Sequence, residues 1–480
     1  FDEAGDGPGF VARLANALHV KTRASVIRRT LLVEPGDAYD SARVAESERA
    51  LRALNVFRDV SVDTVRLGGR LALRVTTADG WSTKPQASYS SAAGDATWAV
   101  GIEEGNFLGL ATTLVATYRR TPDRDEVELE YLSPHFAFRR ARLRLEYWDR
   151  SDGRLGTWRY GVPFYQTAAR WSLETLGEAA DETVLHFRDG ELDRAFTRVA
   201  LRFGLAGGVA LHATSRDYVR LWGAVQWRRE DVDTTAVLPR SVSGAAGVGV
   251  ELGHVRFRVL EQFNSYARRE DVDVSQVLRI GVWAAPRAWG YDGDRAGVGP
   301  ALQAQASAVW PRGFAALRAA ANAIYAAAGL DSGRVRASLT VADQTLPGQT
   351  WVLFVEGGVA ERPVPGGEFD LWLEDRGPRL FGAHAFTGTR MLWGTVENRV
   401  LVDHDVWGLL GVGLAPFVDY GGAWYADQRP RAGGNVGLSL RVGPTRSVRA
   451  EVGELAVGWR FGDGWEGGRW ALAVRKGFVF

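Results

Sequence analysis

From Trp81 to the C-terminus, apolar and polar residues alternate in segments of about ten, each ending in Gly, Asp, Pro or Ser. A period of two sends successive side chains to opposite faces of a β-strand. In Glu126 to Tyr131, Val127, Leu129 and Tyr131 share one side, and Glu126, Glu128 and Glu130 share the other. In Arg140 to Tyr147, Ala141, Leu143, Leu145 and Tyr147 oppose Arg140, Arg142, Arg144 and Glu146. A hairpin through Leu132 to Arg139 would set Glu130 against Arg140, Glu128 against Arg142 and Glu126 against Arg144. Each opposed pair contributes ~0.2–1 kcal/mol, and together they fix register. A face this charged suits a wet lumen, and the apolar face suits lipid. No helical stretch is long enough to cover the sheet, and an uncovered antiparallel sheet hides its edges by closing on itself. The pattern therefore predicts a mainly β protein: a transmembrane antiparallel β-barrel over residues 80–480. The strand number is even, and up to 20 by tally if Val248 to Asn264 is one long strand. A soluble sheet with a solvated charged face explains the two segments alone, but not the continuation of the pattern to the end of the chain.

Residues 1–79 read as a small α/β domain. Helical spacing at Val26, Ile27, Thr30 and Leu31, and again at Val44, Ala50, Leu51 and Leu54, gives way to alternating strands. Those strands run Val56 to Val65 and Leu71 to Thr77, around the turn Leu67-Gly68-Gly69. Thr22 can start the first helix, Pro35-Gly36 stops it, and Asp40 or Ser41 can cap the second. Upstream, Phe10, Leu14 and Leu18 are spaced like a helix, although Leu18 to Val20 could instead supply a third strand.

Composition narrows the function. The 480 residues carry 58 basic and 57 acidic side chains, net +1, so nothing points to nucleic acid. Cysteine is absent, which removes disulfides and thiolate metal sites and fits export through an oxidising compartment. With a mean hydropathy of −0.15, no run approaches the ~18 apolar residues of a membrane-spanning helix. No charged and then apolar region opens the chain, so Phe1 is expected to lie within a mature or truncated product. The histidines, His19, His135, His186, His212, His254, His384 and His404, form no metal-spaced pair, and no G-x-S-x-G elbow occurs. His404 between Asp403 and Asp405 fits a solvated loop better than a catalytic one. No metal, cofactor or enzymatic activity is expected.

Several motifs carry a resemblance. Thr22, Ile27, Gly36-Asp37, Tyr39-Asp40, Leu51, Leu54, Phe57, Val60 and Val62 are spaced as in a POTRA domain. Gly105-Asn106-Phe107-Leu108-Gly109 lies where a first turn would follow, and Pro378 to Arg399 forms a long loop and the strand after it. Pro416 to Gly422 contains Phe417, Asp419 and Gly421 (F-x-D-x-G), and Arg469 to Phe480 alternates strictly and ends on an aromatic. Together these resemble the superfamily of outer-membrane protein insertases and two-partner secretion pores, in which POTRA domains precede a barrel. The resemblance implies an outer-membrane barrel of 16 strands, five of them after the long loop, with the POTRA domain in the periplasm. It implies a lumen-inserting loop at about 363–388, in which Arg379 stands at the tip arginine, Leu380 at the tip glycine and Phe381 at the tip aromatic. A leucine there disfavours a left-handed backbone. The implied partners are the lipid bilayer and a client polypeptide, alongside periplasmic or lipoprotein accessory subunits.

Strand parity adds a physical reason. Asp419 and Phe417 oppose Leu414, Val418 and Tyr420, so Asp419 points inward, as do Glu397 and Arg399. A bidentate contact from Arg379 to Asp419, with Glu397 and Phe381 beside it, would lock the loop inside. The first strand, Trp81 to Ala92, is rich in Ser, Thr and Ala and includes Pro85, which removes a ladder donor. Its seam with the last strand, involving Trp81, Pro85, Gly477 and Phe480, is expected to be weak. The resemblance connects such a seam with lateral opening and an insertase or translocase. A passive channel is the alternative.

Overall fold

The computed structural model describes residues 20–80, 82–92, 94–138, 140–233, 241–266, 269–291, 296–363, 366–372, 376–445, 452–465 and 467–476. Twenty antiparallel strands close into one barrel, beginning with Thr83–Ala92 and ending with Trp470–Lys476. The ring is wider than the sixteen strands that the resemblance implies. The diameter of a barrel grows with its strand number, and the added bore is occupied by chain folded inside it. Five strands follow the long loop: Arg390–Val406, Leu410–Trp424, Gly433–Pro444, Gly453–Gly462 and Trp470–Lys476.

Alternation divides the wall as the sequence pattern requires. Val100, Ile102, Leu129, Leu145, Leu173, Phe203, Val225, Val248, Ile280, Leu317, Val335, Leu392, Val418, Val457 and Leu472 all face outward and are exposed. A continuous apolar belt of this kind is not the scattered exposure of a soluble surface. Inside, Glu103, Glu126, Arg198, Glu230, Glu356, Glu397, Asp419, Arg441 and Glu454 are buried. The ionic rungs are networks: Arg198 donates to Glu230 at 2.8 Å, to Glu182 at 2.7 Å and to Glu178 at 2.5 Å.

The predicted ladder keeps its faces but changes its partners. Glu126 lies opposite Arg150, Glu128 opposite Trp148, and Glu130 opposite Glu146. Glu126 pairs with Arg150 at 3.3 Å and with Arg119 at 3.0 Å, and Glu128 takes Arg119 at 3.4 Å. Of the expected partners, Arg144 meets Glu130, diagonally and at 3.2 Å. The cause is the link between the strands Asp125–Ser133 and Arg142–Arg150, which is wider than a tight hairpin. Ala137 and Arg140 take positive φ, and Arg140 leaves the wall to donate to the carbonyls of Thr30 (3.4 Å) and Leu31 (2.8 Å).

Those carbonyls end the helix Ala24–Thr30 of the N-terminal domain. This helix and Ser41–Arg52 pack on the two-stranded sheet Phe57–Leu67 and Arg70–Asp79 through Val26, Leu51, Val56, Phe57 and Val60. Asp40 caps the second helix by accepting from Ala42 N at 2.8 Å. Thr22 caps nothing: its N–H and hydroxyl both bond Asp79, tying the domain's entry to its last strand. The Gly105–Gly109 region receives the domain. Asn106 donates to the Val20 carbonyl at 2.8 Å and to Thr22 Oγ1 at 3.0 Å, and Arg23 N donates to the Gly109 carbonyl at 2.9 Å. At Gly109, with φ +72°, a Cβ would stand 2.5 Å from the Lys21 carbonyl. The domain thus sits at one mouth of the barrel, called proximal below, and the opposite rim is distal.

Val248 to Asn264 is not one strand. The wall strand Ser241–His254 ends, and Phe257–Glu261 pairs instead with Arg269–Asp273 in a separate hairpin across the proximal mouth.

Candidate functional site

Between the strands Gln349–Glu361 and Arg390–Val406, the chain turns back from the distal rim into the bore. Phe369, Leu371, Phe381, Ala385 and Phe386 pack with Phe354, Met391, Trp393 and Ala423 of the wall. This apolar anchor carries Arg379 to the inward face of the strand Leu410–Trp424. The guanidinium grips Asp419 in bidentate fashion, Nε to Oδ2 at 2.9 Å and Nη2 to Oδ1 at 3.0 Å, and the Arg379 backbone N–H adds a third bond at 3.0 Å. Nη2 also donates to Glu397 and to Thr395 Oγ1, each at 3.1 Å, and the guanidinium carbon lies 3.9 Å from the centre of the Phe417 ring. With its amide oriented to satisfy both neighbours, Asn435 donates to Asp419 at 2.9 Å.

The pair belongs to a larger set. Arg399 donates to Glu397 at 2.6 Å, Arg441 pairs with Glu454, and Glu454 lies 3.6 Å from Arg379 Nη1. Three arginines thus face three carboxylates, all at most 6% exposed. Such a cluster, taken out of water, is held by its own complementarity, and loss of one member strands the rest. Phe381 lies beside this network in the apolar anchor, its ring centre 5.1 Å from that of Phe386 and tilted by 49°. Leu380 avoids the left-handed region and is fully buried against Phe417, Ala456 and Ala473.

Strand parity brought out Asp419 and Glu397, and the loop's resemblance brought out Arg379. Sequence reasoning missed Thr395, Asn435, Arg441 and Glu454, although their inward parity was readable. It also missed a clasp at the distal rim. His384, with φ +54°, places Nδ1 2.5 Å from Asp370 and Nε2 3.0 Å from Asp123, in the turn between two wall strands. Its ring stacks on Phe187 at 3.5 Å. Burial pulls the imidazole pKa down, but hydrogen bonds to Asp123 and Asp370, with their charge, outweigh it and push it up to about 9. Nothing in the sequence around His384 pairs it with an aspartate some distance away along the chain.

At the seam, Ala473 pairs with Ala92 and Val474 with Ser91, and these are the only partners among the described residues. Pro85 stands in the first strand opposite Ile102; Trp81, Gly477 and Phe480 lie outside the described residues. The loop backs this seam from within: Leu380 packs near Ala92 and Ala471, and Ala383 N donates to Asp95 at 2.7 Å.

The chain is similar to CdiB and BamA barrels of known structure. CdiB from Escherichia coli matches at 12% identity and a TM-score of 0.49, covering 94% of this chain and 74% of that one. BamA from Haemophilus ducreyi lacking POTRA domains 1–3 matches at 12% identity and TM-score 0.39, covering 94% and 81%. CdiB from Acinetobacter baumannii matches at 11% identity and TM-score 0.39, covering 95% and 72%. No family model matches the sequence, and no curated protein matches it.

Proposed function

We propose that this protein is a non-enzymatic outer-membrane insertase or translocase of the kind the sequence motifs resemble. The barrel spans the bilayer, and the N-terminal domain, a POTRA-like unit in the periplasm, receives an extended client polypeptide by adding it to a sheet edge. The client then enters or crosses the membrane by way of the seam. The observation that carries this reading is the seam itself, where among the described residues two backbone pairs join the first and last strands and the locked loop supports them from inside. A passive channel has no use for a stopper anchored by a buried charge network.

Cysteines at Ala92 and Ala473, which face each other across the seam, test it. Oxidising the A92C/A473C pair is expected to abolish delivery of surface components in cells, and reduction to restore it. Unchanged delivery with the seam covalently closed, or delivery that persists without residues 20–80, would sink the proposal and favour the channel.

A further inference from the structure

We infer that the proximal hairpin of strands Phe257–Glu261 and Arg269–Asp273 is a strap that positions the loop lock and makes it answer to the N-terminal domain. The inference rests on the reading of Arg379 as the lock. One end of the strap is gripped by the domain: Arg52 donates to Asp271 through Nε at 2.8 Å and Nη2 at 2.9 Å, and the Arg49 guanidinium lies 4.5 Å from the centre of the Phe257 ring. Its body lies against the inner wall, where Leu260 and Phe263, with Val274 just past the hairpin, pack on Phe314, Ala316, Ala342 and Val352. At the far end, Arg399 donates to the Phe263 carbonyl and to Asn264 Oδ1 at 3.2 Å, and Asn264 N is itself fixed by Glu270 at 2.9 Å.

Arg399 is also the partner of Glu397, which Arg379 engages from the other side. A fixed chain of contacts therefore runs from Arg52 through Asp271, the strap, Arg399 and Glu397 to Arg379, joining the proximal domain to a loop that enters from the distal rim. The ring of Tyr266 closes the same end, lying where Cβ atoms on Gly411 and Gly413 would be 2.8 Å and 2.5 Å away, and the His404 ring lies 3.2 Å from the Tyr266 carbonyl. Loss of the strap's hold frees Arg399 to swing away from Glu397 Oε1, which leaves the carboxylate that Arg379 engages through Oε2 unsteadied and loosens the lock. Asn264 and Asp271 are positioning residues: neither touches Arg379.

The chain has no cysteine, so Ala385→Cys, buried in the loop's anchor, is a clean reporter of loop release. In the full-length protein reconstituted in phosphatidylcholine vesicles, maleimide labelling of A385C is measured alone and with R52E, D271R and R52E/D271R. Each single reversal is expected to raise the labelling rate about five-fold or more, the lower end of ordinary coupling between sites, and the double reversal to return it to near the reference rate. Rates that stay unchanged in the singles, or rise equally in the double, would overturn the coupling. N264A, which removes one strap contact far from the domain, is expected to raise labelling while the barrel retains its heat-modifiable migration; an unchanged rate there also counts against the strap. The readout uses no client, so failed delivery with this pattern intact would sink only the proposed function.

Discussion

Replacing Arg379 with methionine keeps an unbranched apolar stem and removes the guanidinium with its charge. Asp419, 1% exposed, then retains the Asn435 donor and the residue-379 backbone N–H but loses both guanidinium bonds, and Glu397 keeps Arg399 and the more distant Arg441 at 3.9 Å. Stranding a buried carboxylate in this way costs about 3–5 kcal/mol. The free carboxylate is relieved when the loop departs and water enters. At about 1.4 kcal/mol per decade, the undocked fraction should therefore rise roughly 10²- to 4 × 10³-fold. Planar-bilayer recording reads this directly, as a rise in open-channel occupancy of R379M over the parent. R379M/D419N, in which the stranded charge is gone, should open less than R379M, giving a coupling of about 0.5–3 kcal/mol in the cycle. A simple exchange, R379D/D419R, should not restore closure, because an aspartate at 379 would face Glu397 and Glu454, which now sit 3.1 Å and 3.6 Å from the arginine. If R379M stays as closed as the parent and the cycle shows no coupling, the aromatic anchor alone holds the loop and the lock does not exist.

The rim clasp gives a pH dependence. The folded-state pKa of His384 lies above the unfolded value, so the clasp contributes in full below about 6.5 and is lost as pH rises through about 9; channel openings should increase over that window, and H384F should abolish the dependence. Register between two wall strands is checked by disulfides: E130C/E146C should oxidise readily and E130C/R140C should not, since Glu130 faces Glu146. N106A removes the donor to Val20 and Thr22 and should loosen the N-terminal domain by about 1–3 kcal/mol, seen as faster proteolysis of residues 20–80 with barrel migration unchanged.

Period-two patterning made the faces legible, because side-chain direction is a local property of extended backbone. Asp419 and Glu397 were found this way, and Arg379 through the loop's resemblance. Partnership was less legible. Glu126 was assigned to the wrong arginine because the link after Ser133 is set by Arg140, which serves a helix end in another domain. The strap was hidden for the same reason: Phe257 to Glu261 alternates like a wall strand, and contacts distant in sequence, with Arg52, Arg399 and the inner wall, draw the hairpin across the mouth. His384 and its aspartates meet only once the loop is home.

The strand Glu191–Ala213 has 23 residues, and its neighbours Trp171–Arg188 and Asp217–Asp233 have 18 and 17. At about 3.3 Å per residue and a tilt near 40°, the longest climbs ~55–60 Å, while an apolar belt needs only ~25 Å. Much of this trio stands clear of the bilayer as a stiff blade. The outer end of the loop leans on it, Thr387 donating to the Phe187 carbonyl at 3.0 Å and His384 stacked on the Phe187 ring. An antibody fragment that grasps the blade at the distal rim would therefore hold a lever on the cork.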